Sequence, residues 1–233
     1  MRKILVLILA LVFAIPAYTK STGNVRVRSM KWYSTRSYFL DLTQGNPRGI
    51  SVKQALKDGR PSGAVDAING SFFGRLPNGT IYPIGIVIQH GKDCSCCGAP
   101  ANRGYLWFDT EPHITYERPP KNALVAISGG PIMIYKGEPV LRFLGNFKDD
   151  VVGQESDMRS IFAIKDDRFY LIRIEGNLEE IRDYLTQYGF DYAINLDGGE
   201  SSKKTRKVAN VLVVYPKTRN VYRQYAAKNF REE

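Results

Sequence analysis

The chain has 233 residues, 43% of them hydrophobic and 12% aromatic, enough apolar material for one folded domain, which excludes disorder for its bulk. Its formal charge of +10 favours anionic partners such as phosphodiesters, acidic glycans or envelope polymers. That charge would also suit a nucleic acid, but the sequence carries no nucleic-acid-binding motif, and the export signal described next argues against one.

Arg2 and Lys3 precede an uncharged apolar run from Ile4 to Ile15, and Pro16-Ala17 supplies a small residue for cleavage. The run has the size of a secretory h-region and is short for a membrane span. Residues 1–20 are therefore set apart as a signal peptide cut near Ala17, and residues 21–233 are expected to form one domain in a secreted or periplasmic location. An uncleaved N-terminal anchor is the alternative. Loss of residues 1–17 takes away Arg2 and Lys3 and no acid, leaving a charge of +8.

Alternating and aromatic residues (Val25, Val27, Trp32, Tyr33, Tyr38, Phe39, Leu40) predict two early strands paired as a hairpin. Ser51 to Asp58 reads as a short helix with Ser51 as its N-cap and Val52, Ala55 and Leu56 on one face, stopped by Gly59 and Pro61. Ala64 to Asn69 is then a buried strand. Further strands are expected at Ile84–Ile88, Tyr105–Phe108, Ile114–Tyr116, Leu124–Ile127 and Ile132–Tyr135, with turns at His90-Gly91-Lys92 and Ser128-Gly129-Gly130-Pro131. Ser160–Ile164 and Phe169–Ile174 flank Lys165-Asp166-Asp167-Arg168 as a hairpin. Leu178 to Tyr188 is the strongest helix signal: Asn177 caps it, Glu179 and Glu180 face the positive end of its dipole, and Gly189 ends it. A strand ending at Tyr192-Ala193-Ile194 and a last strand from Val208 to Tyr215 complete the chain. Many strands with about two helices describe an α+β domain of mixed sheets.

The three cysteines, Cys94, Cys96 and Cys97, share one short run. An odd number leaves one thiol over unless chains pair, and Cys94 with Cys97 can close a small loop. A zinc site there would have only His90 nearby and a cramped spacing. His90 before a turn glycine and His113 after a proline do not read as catalytic.

Two polar, glycine-bearing strand ends carry the functional signal. Asn195-Leu196-Asp197-Gly198-Gly199-Glu200-Ser201-Ser202 places two carboxylates, two glycines and two hydroxyls on one tight turn. Glycines admit a ligand close to the backbone, and adjacent Asp and Glu suit acid and base work. Ala67-Ile68-Asn69-Gly70-Ser71-Phe72-Phe73-Gly74 is the second, and folding is expected to join the two.

These runs resemble the phosphodiester glycosidase family. Asn69-Gly70-Ser71-Phe72-Phe73 is similar to its N-G-x-F-F run. Pro83 to Ile88 with Gly91, Ser128-Gly129-Gly130-Pro131, the arginine-led strand Arg159 to Ile164, and Asn195 to Ser202 resemble further family segments in the same order, covering about residues 52 to 216. The resemblance implies hydrolysis of a bond between the anomeric carbon of a sugar and a phosphate. An oxocarbenium-like centre needs a carboxylate nearby, which points to Asp197, and the phosphate needs a cation and amide donors, which points to Arg159. Asn69 and the backbone around Gly70, Ser128, Gly129, Gly198 and Gly199 would then hold sugar hydroxyls or phosphate oxygens, with Ser201 and Ser202 adding hydroxyls. Glu200 departs from the family, which often has a third glycine there, and is a second catalytic carboxylate, an outward-facing group or one that narrows the pocket. The segment after Ser202 is short and basic (Lys203, Lys204, Arg206, Lys207) where the family has a longer loop.

No cofactor or metal is expected: Asp-Gly-Gly beside Glu offers too few ligands for calcium. The expected partner is a sugar phosphodiester or anionic glycan, with peripheral envelope contact and no nucleic acid. The alternatives are a non-catalytic binder of anionic glycans on the same fold, and a structural envelope protein.

Overall fold

The computed structural model describes residues 25–95, 104–142 and 155–229. The signal segment, Cys96 and Cys97 lie outside them. In chain order the first elements are β1 (Arg26–Ser34), β2 (Tyr38–Gln44), β3 (Ile50–Ser51), α1 (Val52–Gly59), β4 (Asp66–Asn69), β5 (Phe73–Arg75), β6 (Ile81–Pro83), β7 (Val87–Gln89) and β8 (Lys92–Asp93). They are followed by β9 (Gly104–Phe108), β10 (Pro112–Thr115), β11 (Val125–Gly129), β12 (Ile132–Tyr135), β13 (Glu138–Arg142), β14 (Asp157–Lys165) and β15 (Arg168–Gly176). The last are α2 (Leu178–Tyr188), β16 (Tyr192–Asn195), β17 (Lys207–Val208), β18 (Asn210–Pro216) and α3 (Asn220–Asn229).

Three sheets enclose the core. The largest has the order β1-β15-β14-β16-β12-β13, the second β10-β9-β11-β7-β8, and the third β2-β18-β4. The pairings within them are antiparallel. The chain is thus an α+β domain, with helices flanking antiparallel sheets.

The six-stranded sheet is covered on both faces, which explains the continuous apolar runs in its central strands. Ile161, Ala163 and Ala193 pack against Leu178, Ile181 and Leu185 of α2, while Phe162, Ile164, Ile194 and Leu196 turn into the main core shared with the other sheets. Successive side chains of a strand point to opposite faces, so a strand buried on both sides loses its apolar–polar alternation. Each fully buried Phe of this core, Phe162 among them, contributes about 1.5–3 kcal/mol.

The helix signals act as expected. Ser51 Oγ accepts the Gln54 N–H at 3.1 Å to start α1. Asn177 and Glu180 form a reciprocal capping box on α2, and Gly189 closes it in the left-handed region at φ 70°.

Three expectations need correction. β1 and β2 are not a hairpin: β1 pairs with β15 and β2 with β18, in different sheets. The reason is burial, because β1 is a half-exposed edge strand, whereas Phe39, Leu40, Asp41 and Leu42 of β2 are all buried. The strand expected at Ile84–Ile88 is broken, with β6 ending at Pro83 and β7 beginning at Val87. The third helix, α3, lacks the apolar periodicity that marks α2, and its Tyr222 ring packs 5.0 Å from that of Phe39.

Asp41 ties three distant segments together. It is 4% exposed, its Oδ1 lies 2.8 Å from His90 Nε2 in the β7–β8 turn, and its Oδ2 pairs with Arg219 just before α3. The Asp41 hydrogen bond and charge raise the His90 pKa above its ordinary 6.5, against burial and Arg219, which lower it. A raised folded-state value means that this contribution to stability is fully present below about pH 6.5 and fades as pH rises through the folded value. His90→Asn, which tolerates the left-handed backbone at φ 52°, is expected to lower the melting temperature at pH 5.5 and to lose less of it at pH 9. Thermal unfolding of both proteins across that range checks this, and a pH-independent difference would refute it.

Candidate active site

The predicted residues converge on a seam where strand ends from all three sheets meet. β4 ends at Asn69 and β18 begins at Asn210 in the three-stranded sheet; β16 ends at Asn195 and β14 begins near Arg159 in the six-stranded sheet; β11 ends at Gly129 in the five-stranded sheet. Asn69 is fully buried and joins two of these sheets. Its Nδ2 donates to the Asp197 carbonyl at 2.7 Å, and its Oδ1 accepts the Ser160 hydroxyl at 2.6 Å. Only the amide nitrogen can serve the carbonyl, so this amide has one orientation.

From Ser160 the network continues. Its hydroxyl lies 3.0 Å from Ser202 Oγ, which in turn donates to the Met158 carbonyl at 3.3 Å. Ser202 closes a 3-10 turn over Gly199–Ser202 that follows Asp197. Asp197 is therefore fixed on several sides: its N–H donates to the Gly70 carbonyl at 3.2 Å, its carbonyl takes the Asn69 amide, and its Oδ1 accepts the Gly198 N–H at 3.0 Å. The residue is half-buried, and its Oδ2 is shielded from solvent.

Gly70 is required by close approach and Gly199 by its left-handed backbone. A Cβ on Gly70 would sit 2.1 Å from Asn210 Oδ1. A Cβ on Gly199, at φ 59°, would sit 2.7 Å from Asp157 Oδ2. Arg159 is 6% exposed and lies under the same loop, its Nη1 3.1 Å from where a Gly198 Cβ would be and its Nη2 donating to the Glu155 carbonyl at 3.2 Å. Burial lowers its pKa below the ordinary guanidinium value, and the charges of Asp157 and Glu155 oppose that shift. The guanidinium remains charged at any physiological pH.

The other predicted residues occupy different settings. Ser128 is buried and accepts the Ile86 N–H at 2.8 Å, while Gly129 packs on the Asn195 carbonyl, so both shape the seam from below. Ser201 is buried within the 3-10 turn. Glu200 stands apart: it is exposed and ion-paired with Lys203, and that bond lowers its pKa. The exposed run Lys203 to Lys207 follows it.

Sequence reading assigned no role of their own to Asn195, Ser160, Ser71 or Asn210, all fully buried. Asn195 clamps the Gly-Gly-Pro turn: its carbonyl accepts from Gly130 at 2.7 Å, its N–H donates to Pro131 at 3.0 Å, and its Nδ2 donates to the Gly130 carbonyl at 3.0 Å. Asn210 accepts the Ser71 N–H at 2.9 Å, donates to Ser71 Oγ at 2.8 Å, and its carbonyl takes the Gly70 N–H at 3.0 Å. Their signal was a polar residue at the edge of an apolar run, where burial demands a specific partner. Among the described residues, no group of three or more His, Cys, Asp or Glu is placed to hold a metal ion.

The phosphodiester glycosidase family matches residues 62–224. The chain belongs to this family. Solved structures share its fold. A hypothetical protein from Synechocystis superposes with a TM-score of 0.69 at 16% identity, over 84% of this chain and 60% of that one. The catalytic domain of zebrafish N-acetylglucosamine-1-phosphodiester alpha-N-acetylglucosaminidase, auto-inhibited by its pro-peptide, gives 0.61 at 15% identity over 84% of each chain. A presumed exported protein of Burkholderia pseudomallei gives 0.55 at 12% identity, over 80% of this chain and 73% of that one. No curated protein matches the chain in sequence.

Gly70→Ala is expected to displace Asn210 and break its pair of bonds to Ser71, costing about 1–3 kcal/mol from overpacking alone. Denaturant unfolding measures this. A loss below about 0.5 kcal/mol, the usual range of neutral surface changes, would show that the seam yields freely.

Proposed function

We propose that this chain is an exported hydrolase that cleaves the glycosidic bond between a sugar and phosphate in a glycan or envelope polymer. The observation that carries the reading is the placement of Asp197. Its backbone is pinned by Asn69 and Gly70, and one carboxylate oxygen is oriented by the Gly198 amide. Preorganisation of this kind lets a carboxylate stabilise an oxocarbenium-like centre, or orient a water against it, without reorganising during reaction. Phosphate is already a good leaving group, so the chemistry needs less acid assistance than an ordinary glycoside. Arg159 under the loop, with the exposed Lys203 and Lys204 beyond it, supplies positive potential for the departing anion. The family membership supports the reaction class, and the apolar run behind Arg2 and Lys3 supports export.

Glu200, on the surface with Lys203, has no part in this reading, which assigns the catalytic role to Asp197. A second reading, a non-catalytic binder of anionic glycans, is favoured by the same two features: a carboxylate in place of a glycine, and the exposed basic run.

Turnover decides between them. The purified protein is to be offered α-linked sugar-1-phosphodiesters, with released sugar followed by mass spectrometry. Asp197→Asn, which keeps an acceptor for Gly198, is expected to lower kcat by about 100- to 10,000-fold, and Glu200→Gln to change it by less than about threefold. Binding without sugar release in the wild-type protein would establish the second reading. A large loss in Glu200→Gln would restore that residue as a catalytic group.

A further inference from the structure

A cavity of about 560 Å³ opens at the other end of the six-stranded sheet. Tyr192 begins β16 and Asn195 ends it, a span of about 10 Å at 3.3 Å per residue, and Asp197 follows, so the cavity and the candidate active site lie at opposite ends of one strand. The volume falls within the range of small-ligand pockets, about 300–1,000 Å³.

Its walls come from four turns and edges. Tyr135 at the end of β12 and Tyr192 across from it meet edge to face with ring centroids 5.5 Å apart. Glu111 precedes β10, Asp166 sits in the β14–β15 turn, and Asp191 precedes β16. Asp191 is held in place, because its Oδ2 accepts the Asp166 N–H at 2.9 Å. Lys136 is the one ammonium in the lining, and its Nζ lies 5.6 Å from the Tyr135 ring centroid. His113 also borders the cavity, but its Nε2 lies 3.1 Å from Asp109 Oδ1 and its ring stacks on Trp107 at 3.8 Å.

The local charge is the reverse of the whole molecule's. Three carboxylates face one lysine in a chain of formal charge +10. Carboxylates accept hydrogen bonds from hydroxyls and ammonium groups and repel phosphate, while tyrosine faces take the apolar side of a sugar ring or a cation. We propose that this cavity is a second, non-catalytic glycan-binding site that takes an amino sugar with a protonated amine. Its ligand is opposite in charge to a phosphodiester, so it does not compete for the Asp197 loop, and the proposal stands whether or not that loop is a hydrolase site.

The test uses the full chain, nuclear magnetic resonance and calorimetry, with three probes: a β-1,4-linked glucosamine trisaccharide, cellotriose and glucose-1-phosphate. The glucosamine trisaccharide is expected to shift the resonances of Tyr135 and Tyr192 and to bind about tenfold more tightly than cellotriose, the difference a charge-assisted hydrogen bond supplies. Glucose-1-phosphate is expected to leave those resonances unmoved. Glu111→Gln combined with Asp166→Asn should weaken the trisaccharide by about tenfold or more at unchanged melting temperature, since Asn accepts the left-handed backbone at Asp166 (φ 53°). Asp197→Asn should leave trisaccharide binding as it was. Equal affinity for the two trisaccharides, shifts confined to the Asp197 loop, or undiminished binding in the double variant would each overturn the proposal.

Discussion

The candidate site depends on one buried amide. Asn69 stands at the end of a strand in one sheet and holds, with its two polar atoms, a carbonyl and a hydroxyl that belong to another. An unmatched polar group in that position would cost about 1–3 kcal/mol, so both partners are specified and the two sheets are locked in register at their ends. Asp197 takes its position from this lock. The 3-10 turn that follows it is anchored by the same chain of groups, through Ser160 to Ser202.

Around this lock the fold places its buried polar residues unevenly. Asn69, Ser71, Ser160, Asn195 and Asn210 are all fully buried at the seam, whereas the rest of the sheet interior is mostly aliphatic and aromatic, with Asp41 and Asp66 as buried carboxylates away from it. Apolar packing brings three sheets together but does not direct their ends. Hydrogen bonds are directional, and a concentration of them at one place gives that place a single geometry. The same concentration explains why Gly70 must be glycine: the Asn210 amide that fixes the loop occupies the space of a side chain.

Electrostatics divides the molecule. The basic run after the 3-10 turn and the buried guanidinium of Arg159 gather cations at one end of the six-stranded sheet, with Glu155, Asp157 and Glu200 among them. At the other end Glu111, Asp166 and Asp191 surround a cavity with the opposite sign. A short strand, β16, separates the two, so one element presents different chemistry at its two ends.

Much of this was legible in the chain itself. Helix α2 could be read because its periodicity, its Asn177 cap and its Gly189 stop are local, and local signals survive folding. The family segments could be read because Asn69 to Phe73, Ser128 to Pro131, Arg159 to Ile164 and Asn195 to Ser202 resemble those of the family in the same order. The pairing of β1 could not, because its partner β15 lies far along the sequence and strand pairing is decided by which faces are buried. Nor could the roles of Ser160, Asn195 and Asn210, whose partners come from other strands. Glu200 shows the limit most plainly: next to Gly199 and three residues from Asp197 in sequence, it points to solvent and pairs with Lys203. Composition and motif order by themselves determined the class of fold, the family and the segments that meet. Tertiary structure decided which side chains in those segments face one another, because burial and direction are properties of the assembled sheets and of no single strand.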